Sequence, residues 1–183
     1  TPSISATTTY YAETRNSTTG CLSATRVAVT ATVNALPALA TATNNSRCGT
    51  GTVVLGVSAV PAGCTIDWYA ASTGGTALLT GNASFTTPSI SATTTYYAET
   101  RNTTTGCLSA TRVAVTATVN VLPALATATN NSRCGTGTVV LGVSAVPAGC
   151  TIDWYAAATG GTALLTANSR FTTPRLTATT TNY

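Results

Sequence analysis

The acids of this chain are few enough to name: Glu13, Asp67, Glu99 and Asp153. There is no His and no Lys, and all eight basic residues are Arg. Glycoside hydrolysis needs two carboxylates flanking one bond, with one of them kept protonated by its surroundings. Asp67 and Glu99 are the pair to weigh for that role. Each sits where polar and apolar residues alternate, in TIDWYA (65–70) and TTTYYAET (93–100). Alternation puts Ile66 and Trp68 on one strand face, Asp67 and Tyr69 on the other. The same parity places Glu99, Arg101 and Arg112 on the outer face of that sheet. Carboxylates beside Arg on an open face form cross-strand ion pairs, worth about 0.2–1 kcal/mol each. An open face neither excludes water nor raises a pKa, so no catalytic residue is expected. The face is instead a candidate binding surface made of Tyr69, Tyr97, Asp67, Glu99 and Arg101. Tyr rings beside hydrogen-bonding groups stack on sugars or dock proteins. The alternative is a solvated face with Tyr present for its β propensity.

Other chemistries are excluded more simply. The six cysteines contain no CxxC pair and have no His beside them, so no zinc site is expected. Calcium wants several grouped oxygen ligands, which the acid-poor loops do not supply. No cofactor is implied. The net charge of +4 is spread thinly, with no Arg cluster, so nucleic acid is not an expected partner. No apolar run approaches the roughly 20 residues of a membrane-spanning helix. Asn16, Asn44, Asn82, Asn102 and Asn130 head N-x-S/T sequences and read as loop residues.

The elements that position these residues repeat. TPSISATTTYY at Thr1 returns unchanged at Thr87, and in altered form as TPRLTATTTNY at Thr173. The period is 86, and residues 1–86 differ from 87–172 at six positions. That period is too long for the short solenoid repeats of roughly 20–50 residues and suits a small whole domain. The expected organisation is 1–35 as the C-terminal part of one repeat, 36–121 as a complete repeat, and 122–183 as the N-terminal part of another. The chain then reads as a window on a longer array. About a quarter of the residues are Thr, and only 7% are charged. Hydroxyls supply the polarity that charges usually give.

Within the complete repeat, strands are expected at Ala38–Thr43, 52–59, 65–70, 76–80, a short segment around SFTTPSI, 93–100 and 108–119. The stretch NNSRCGTG reads as turn. Pro88 confines its segment to an edge. About seven short strands without a helical period predict an all-β fold of tandem Ig-like antiparallel sandwiches. Trp68 falls on the third strand, where such sandwiches bury a Trp. Tyr96 or Tyr97 opens the sixth, where a tyrosine corner sits.

The runs CGTGTVVLGVSA, TIDWYAASTGGTALLTG, FTTPSISATTTYYAETRN and GCLSATRVAVTATVN together resemble the Ig-like repeat of very large secreted Bacteroidota proteins. The resemblance covers essentially the whole chain. It implies an extracellular, cell-surface setting and export by the type IX pathway. Such repeats form arrays in adhesins, including gliding-motility adhesins, and accessory modules in polysaccharide-degrading proteins. The expected role is therefore a non-catalytic structural or adhesive module in the shaft of a surface fibre. A carbohydrate-binding accessory module is the alternative. Expected partners are neighbouring repeats and surface polysaccharide, with no membrane insertion.

Two further expectations follow from an Ig-like topology. Cys64 and Cys107 lie at one end of the sandwich and Cys48 at the other, so a Cys64–Cys107 disulfide is expected, worth roughly 4 kcal/mol by the loop-entropy model. The partial repeats 1–35 and 122–183 are complementary parts of one fold, so exposed strands in one invite the other.

Overall fold

The computed structural model describes residues 3–177. Twelve strands and no helix occur among them. The chain divides into two compact units, Thr1–Asn120 and Val121–Tyr183.

The complete repeat holds seven strands: β3 (Thr41–Thr43), β4 (Asn45–Cys48), β5 (Val54–Ser58), β6 (Cys64–Tyr69), β7 (Ser84–Thr86), β8 (Thr94–Asn102) and β9 (Val113–Asn120). They form two sheets, ordered β3-β5-β7 and β4-β9-β8-β6. All neighbours are antiparallel except β4 and β9, which run parallel. This is an Ig-like β-sandwich. Its core comes from both inner faces: Leu55 and Phe85 from one sheet, Ile66, Trp68, Tyr96, Ala98, Val115 and Ala117 from the other. The Trp68 ring stacks on Phe85 at 5.4 Å, and Phe85 meets Tyr96 at 5.0 Å in a tilted arrangement. The indole N–H of Trp68 donates to Asn82 O at 2.8 Å, so its polar atom is satisfied inside an apolar site. Tyr96 is thus a core ring on Phe85.

The TTP phrase has a local explanation. Thr87 N–H donates to Val53 O, and the Thr87 hydroxyl accepts from Val53 N–H, closing the end of the β5–β7 pair. Pro88, which has no N–H, follows where the ladder stops. The free edge of β6 is covered by residues 78–82, which overlap the separate strand expected at 76–80. Trp68 N–H donates to Leu79 O and Leu78 N–H donates to Trp68 O, both at 2.7 Å. The expected strand 108–119 is interrupted at Ser109. Its hydroxyl accepts from Thr100 N–H and donates to Thr111 O, and regular pairing resumes only at Val113.

The stretch read as turn, NNSRCGTG, contains β4. After β3 the chain crosses to the second sheet at Asn44, whose side-chain oxygen accepts from Thr116 N–H at 2.8 Å. Asn45–Cys48 then lie beside Ala117–Asn120. Polar NSRC carries no strand signal of its own; its ladder is dictated by β9. Arg47 folds over Gly51, donating from Nε to Gly49 O and from Nη1 to Thr52 O. Gly51 has φ +153°, and a Cβ there would overlap the guanidinium.

Two partial copies act as internal controls. Residues 3–35 form a hairpin of β1 (Thr8–Ala12) and β2 (Val27–Ala31). Its register, Thr8↔Ala31, equals Thr94↔Ala117 of the complete repeat, one period on. In the second unit, β10 (Thr127–Thr129), β11 (Val140–Ser144) and β12 (Arg170–Thr172) form one sheet. Trp154 stacks on Phe171 at 5.4 Å, as Trp68 does on Phe85. Yet NSRC at 131–134 forms no strand, and CTIDWY at 150–155 keeps a single bridge, Trp154↔Leu165. These sequences are identical to β4 and β6. What differs is the absence, among the described residues, of counterparts of β9 and β8. The expected start of the sixth strand of this copy falls on 178–183, outside the described residues.

The Arg47–Gly51 lock can be checked by a double-mutant cycle. Gly51→Ala should lower the stability of the complete repeat by about 2 kcal/mol, through displaced Arg47 hydrogen bonds and backbone strain. In an Arg47→Ala background the same change should cost clearly less, because the overlap is gone. Chemical denaturation of the four proteins measures both effects.

Candidate functional site

The outer face of the β4-β9-β8-β6 sheet holds the acids singled out by sequence, and it is less open than their parity suggests. Asp67 on β6 is 4% exposed and Glu99 on β8 is 8% exposed. β8 lies between β6 and β9, so the register sets Asp67 directly beside Glu99, one residue along β8 beyond the Ala98↔Val113 pair.

Each acid takes one arginine. Arg101 grips Asp67 with both ends of its fork, Nε to Oδ2 at 2.6 Å and Nη2 to Oδ1 at 3.1 Å. Gly81 N–H adds a third donor to Oδ1 at 3.0 Å. Bidentate, charge-assisted bonds of this kind are the strong class. They hold the Asp67 carboxyl below the usual carboxylate range; the Arg101 hydrogen bond is the main cause, and burial opposes it. Arg112, at the start of the β9 side, reaches across β8. Its guanidinium carbon lies 3.3 Å from the centre of the Tyr69 ring. One nitrogen donates to Glu99 Oε2 at 3.5 Å, the other to Ala71 O at 2.9 Å and Gly74 O at 2.7 Å. The loop after β6 is thereby drawn over the sheet. Gly74 and Gly75, both at positive φ, let it turn back there. Burial, followed by the nearby Glu99 carboxylate, pushes the Tyr69 phenol up.

Of the five residues proposed for a binding face, Tyr69, Asp67, Glu99 and Arg101 are thus brought together, and they are engaged with one another and with Arg112. Tyr97 is half-buried beside them. Arg112 is the member sequence reasoning left out of the set. Parity had placed it on this face; the signal for its role was the pair of glycines in ASTGG, which returns the loop to it. The expected solvated ion pairs are in fact largely buried ones. Their chemistry is structural: two carboxylates neutralised by two guanidinium groups, one of them stacked on a ring. Among the described residues, no group of three or more His, Cys, Asp or Glu stands close enough to hold a metal ion.

The cysteines are all unbonded. Cys64 pairs with Asn102, and Asn102 N–H donates to Cys107 O at 2.9 Å. The two cysteines therefore flank β8, two strand spacings apart, or about 10 Å. A disulfide needs Cα atoms within about 7 Å, so the expected Cys64–Cys107 bond does not form in this arrangement. Hydrogen bonds join the two turns instead: Thr103 donates from both N–H and Oγ1 to Gly63 O at 2.9 Å. Cys48 lies opposite Asn120, at the other end of the sheet.

The family model described as Ig-like domain CHU_C associated matches residues 36–120 and again 122–183. The chain belongs to that family. It is the Bacteroidota-type Ig-like domain that the sequence motifs resemble, present here in tandem. No curated protein matches the chain. In the CHU_C-associated repeat, the Asp67–Arg101 pair is assembled only where β6 and β8 share a sandwich. In the next copy Asp153 keeps the backbone donor, from Ala167 N–H at 3.0 Å, and is exposed.

The Asp67 pair makes stability depend on acid. Its folded pKa is below the unfolded value of about 3.9, so the unfolded chain takes up the proton first as pH falls. The stabilisation is complete above about pH 5 and is lost as pH falls through the folded pKa. Asp67→Asn should reduce stability at neutral pH by about 2 kcal/mol, less than for a fully buried pair, since Arg101 keeps 34% of its side chain in solvent. The variant should also flatten the acid limb of a pH–stability profile measured by urea denaturation. An unchanged profile would show that the pair adds nothing.

Proposed function

We propose that this chain is a non-catalytic spacer in the shaft of an extracellular surface protein, in which Ig-like repeats give reach. The observation that carries this reading is the abutment of two copies: the family matches end at 120 and resume at 122. The core of the complete repeat is drawn entirely from residues 40–117, so no neighbour is needed to finish it. A module that closes its own core and is followed at once by another adds length without adding chemistry. Near-identity of the copies supports the same reading, since a spacer needs many equivalent units rather than one specialised site. Membership of a Bacteroidota-type Ig-like family supports the surface setting. An adhesive role would reside in surfaces carried by the array.

The outer sheet face does not favour a carbohydrate-binding module. Its polar groups are already engaged: Asp67 with Arg101 and Gly81, and Arg112 with Glu99, Ala71 and Gly74.

The reading is tested with proteins of two, four and six copies of residues 36–121. The maximum dimension from small-angle X-ray scattering should rise linearly with copy number. Titration with soluble polysaccharides should give no saturable binding. A plateau in length would sink the spacer reading. Saturable binding abolished by Tyr97→Ala would replace it with the carbohydrate-binding module.

A further inference from the structure

Residues 36–91 and 122–177 are the same stretch of two copies, and they differ at seven positions. Two of the seven exchange Ser for Arg: Ser84 corresponds to Arg170, and Ser89 to Arg175. The stretch 36–91 holds one Arg and one acid, a net charge of zero; 122–177 holds three Arg and one acid, a net charge of +2. The second copy has therefore gained charge on one short segment while keeping the rest of its sequence.

Arg170 lies on β12 and is exposed. The register sets Thr129, Gly142 and Arg170 in one row across β10, β11 and β12. Alternation turns Leu141 and Phe171 to the opposite, inner face, as with Leu55 and Phe85 in the core of the complete repeat. The complete repeat forms the same three strands in the same register, and its second sheet packs on that inner face. The outer face is thus the same whatever covers the inner one: Val54 is 53% exposed and its counterpart Val140 45%.

Gly142 makes the row hollow. It leaves no side chain between Thr129 and Arg170, whose strands stand two spacings, or about 10 Å, apart. Asn131 and Val140 help to wall the same groove, whose volume is about 450 Å³, within the roughly 300–1,000 Å³ of small-ligand sites. The Asn131 carboxamide is already committed: it donates to Val140 O at 3.2 Å and accepts from Ser132 N–H at 2.8 Å, so it forms a fixed wall. Arg170 differs. Among the described residues no carboxylate pairs with it; the ion pairs are Arg26–Glu13, Arg101–Asp67 and Arg112–Glu99. In the complete repeat the same place holds Ser84, whose hydroxyl donates to Leu55 O at 3.4 Å. The second copy thus sets an unneutralised guanidinium beside an uncharged hollow.

We propose that this groove binds a carboxylated sugar unit of an acidic polysaccharide. The planar fork of Arg170 takes the carboxylate with two parallel bonds. The Thr129 hydroxyl, across the groove, exchanges hydrogen bonds with a sugar hydroxyl. Gly142 lets the ring lie against the backbone of β11. An acidic peptide fits less well, because extended peptides pair with a sheet edge and this hollow lies on the central strand. Such a site gives one copy of the array a contact of its own, beyond the spacing that all copies share.

The test is an NMR titration of the polypeptide of residues 1–183 with trigalacturonate. The amides of Thr129 and Gly142 should shift saturably, while those of Thr43 and Gly56, their counterparts beside Ser84, stay still. Arg170→Ser restores the residue that the complete repeat carries there, so the fold tolerates it. It should weaken binding about 10-fold or more, the worth of a charge-assisted contact. Gly142→Val should abolish the shifts with Arg170 still present. A Cβ at Gly142 meets only Ser169 O at 3.7 Å and Thr129 Cβ at 3.9 Å, ordinary contacts, and strands favour Val. Ser84→Arg should make Thr43 and Gly56 respond as well. Arg175→Ser removes an equal charge outside the groove, where Nη2 donates to Thr136 Oγ1 at 3.2 Å, and should change affinity little. Equal losses from Arg170→Ser and Arg175→Ser would overturn the proposal, by showing attraction to net charge alone. Maltotriose shifting the same amides as strongly would overturn it by removing the need for a carboxylate. Tetraglutamate binding as tightly would replace the sugar with an acidic peptide. No saturable shift at any soluble concentration would end it. Copies of residues 36–121 lack Arg170, so neither result bears on whether long arrays act as spacers.

Discussion

The pairing of β6 with β8 is the contact on which the complete repeat depends. It spans Cys64–Tyr69 against Asn102–Tyr97 and sits between the core and the ion pairs. On its inner side it brings Ile66 and Trp68 to Ala98 and Thr100. On its outer side it brings Asp67 to Arg101 and Tyr69 to Glu99. The two partial copies show what remains without it. CTIDWY loses its ladder and Asp153 is exposed; in the hairpin, where the described residues supply no opposing sheet either, Tyr10 and Val29 turn to solvent, all with sequences that are otherwise nearly unchanged. Strand formation here is a property of the pair, as expected where β propensity mainly reports packing against neighbours.

The hairpin behaves differently because its turn is specified locally. Asn102 Oδ1 accepts from Thr104 N–H and Thr105 N–H, and Gly106 takes positive φ. Asn16, Thr18, Thr19 and Gly20 repeat this arrangement in the isolated hairpin. An Asx turn closed by Gly needs no tertiary support, so it sets the same register in both places. The repeat thus combines a locally encoded hairpin with strands that form only against it. Loop-closure entropy gives the two parts different standing: the hairpin joins residues about 20 apart, while β4 must find β9 some 70 residues later.

The same division decides what the sequence reveals. Alternation in TIDWYA, TTTYYAET and RVAVTATV was enough for the sandwich, for Trp68 in the core and for the face carrying Asp67 and Glu99. Polar NSRC offers no alternation of hydrophobicity, and its strand was invisible because β9 imposes it. The closure of the outer face was hidden for a similar reason. Parity gives a side chain's face, but a loop such as ASTGG leaves no periodic trace of where it folds. The disulfide expectation failed on one strand spacing. Cys64 and Cys107 share an end of the sandwich, as the topology required, yet β8 runs between them.

The parallel run of β4 beside β9 has a mechanical consequence. β4 lies near the start of the repeat and β9 ends it, and both point the same way. A pull on the two ends of the repeat drags these strands in opposite directions along their length. The hydrogen bonds joining Asn45–Cys48 to Ala117–Asn120 are then loaded together in shear, rather than opened one after another like a zip. Asn44 Oδ1 to Thr116 N–H and Gly49 N–H to Asn120 O extend the clamp at either end. A strand made of four unremarkable polar residues is where a tensile load on this domain would be resisted first.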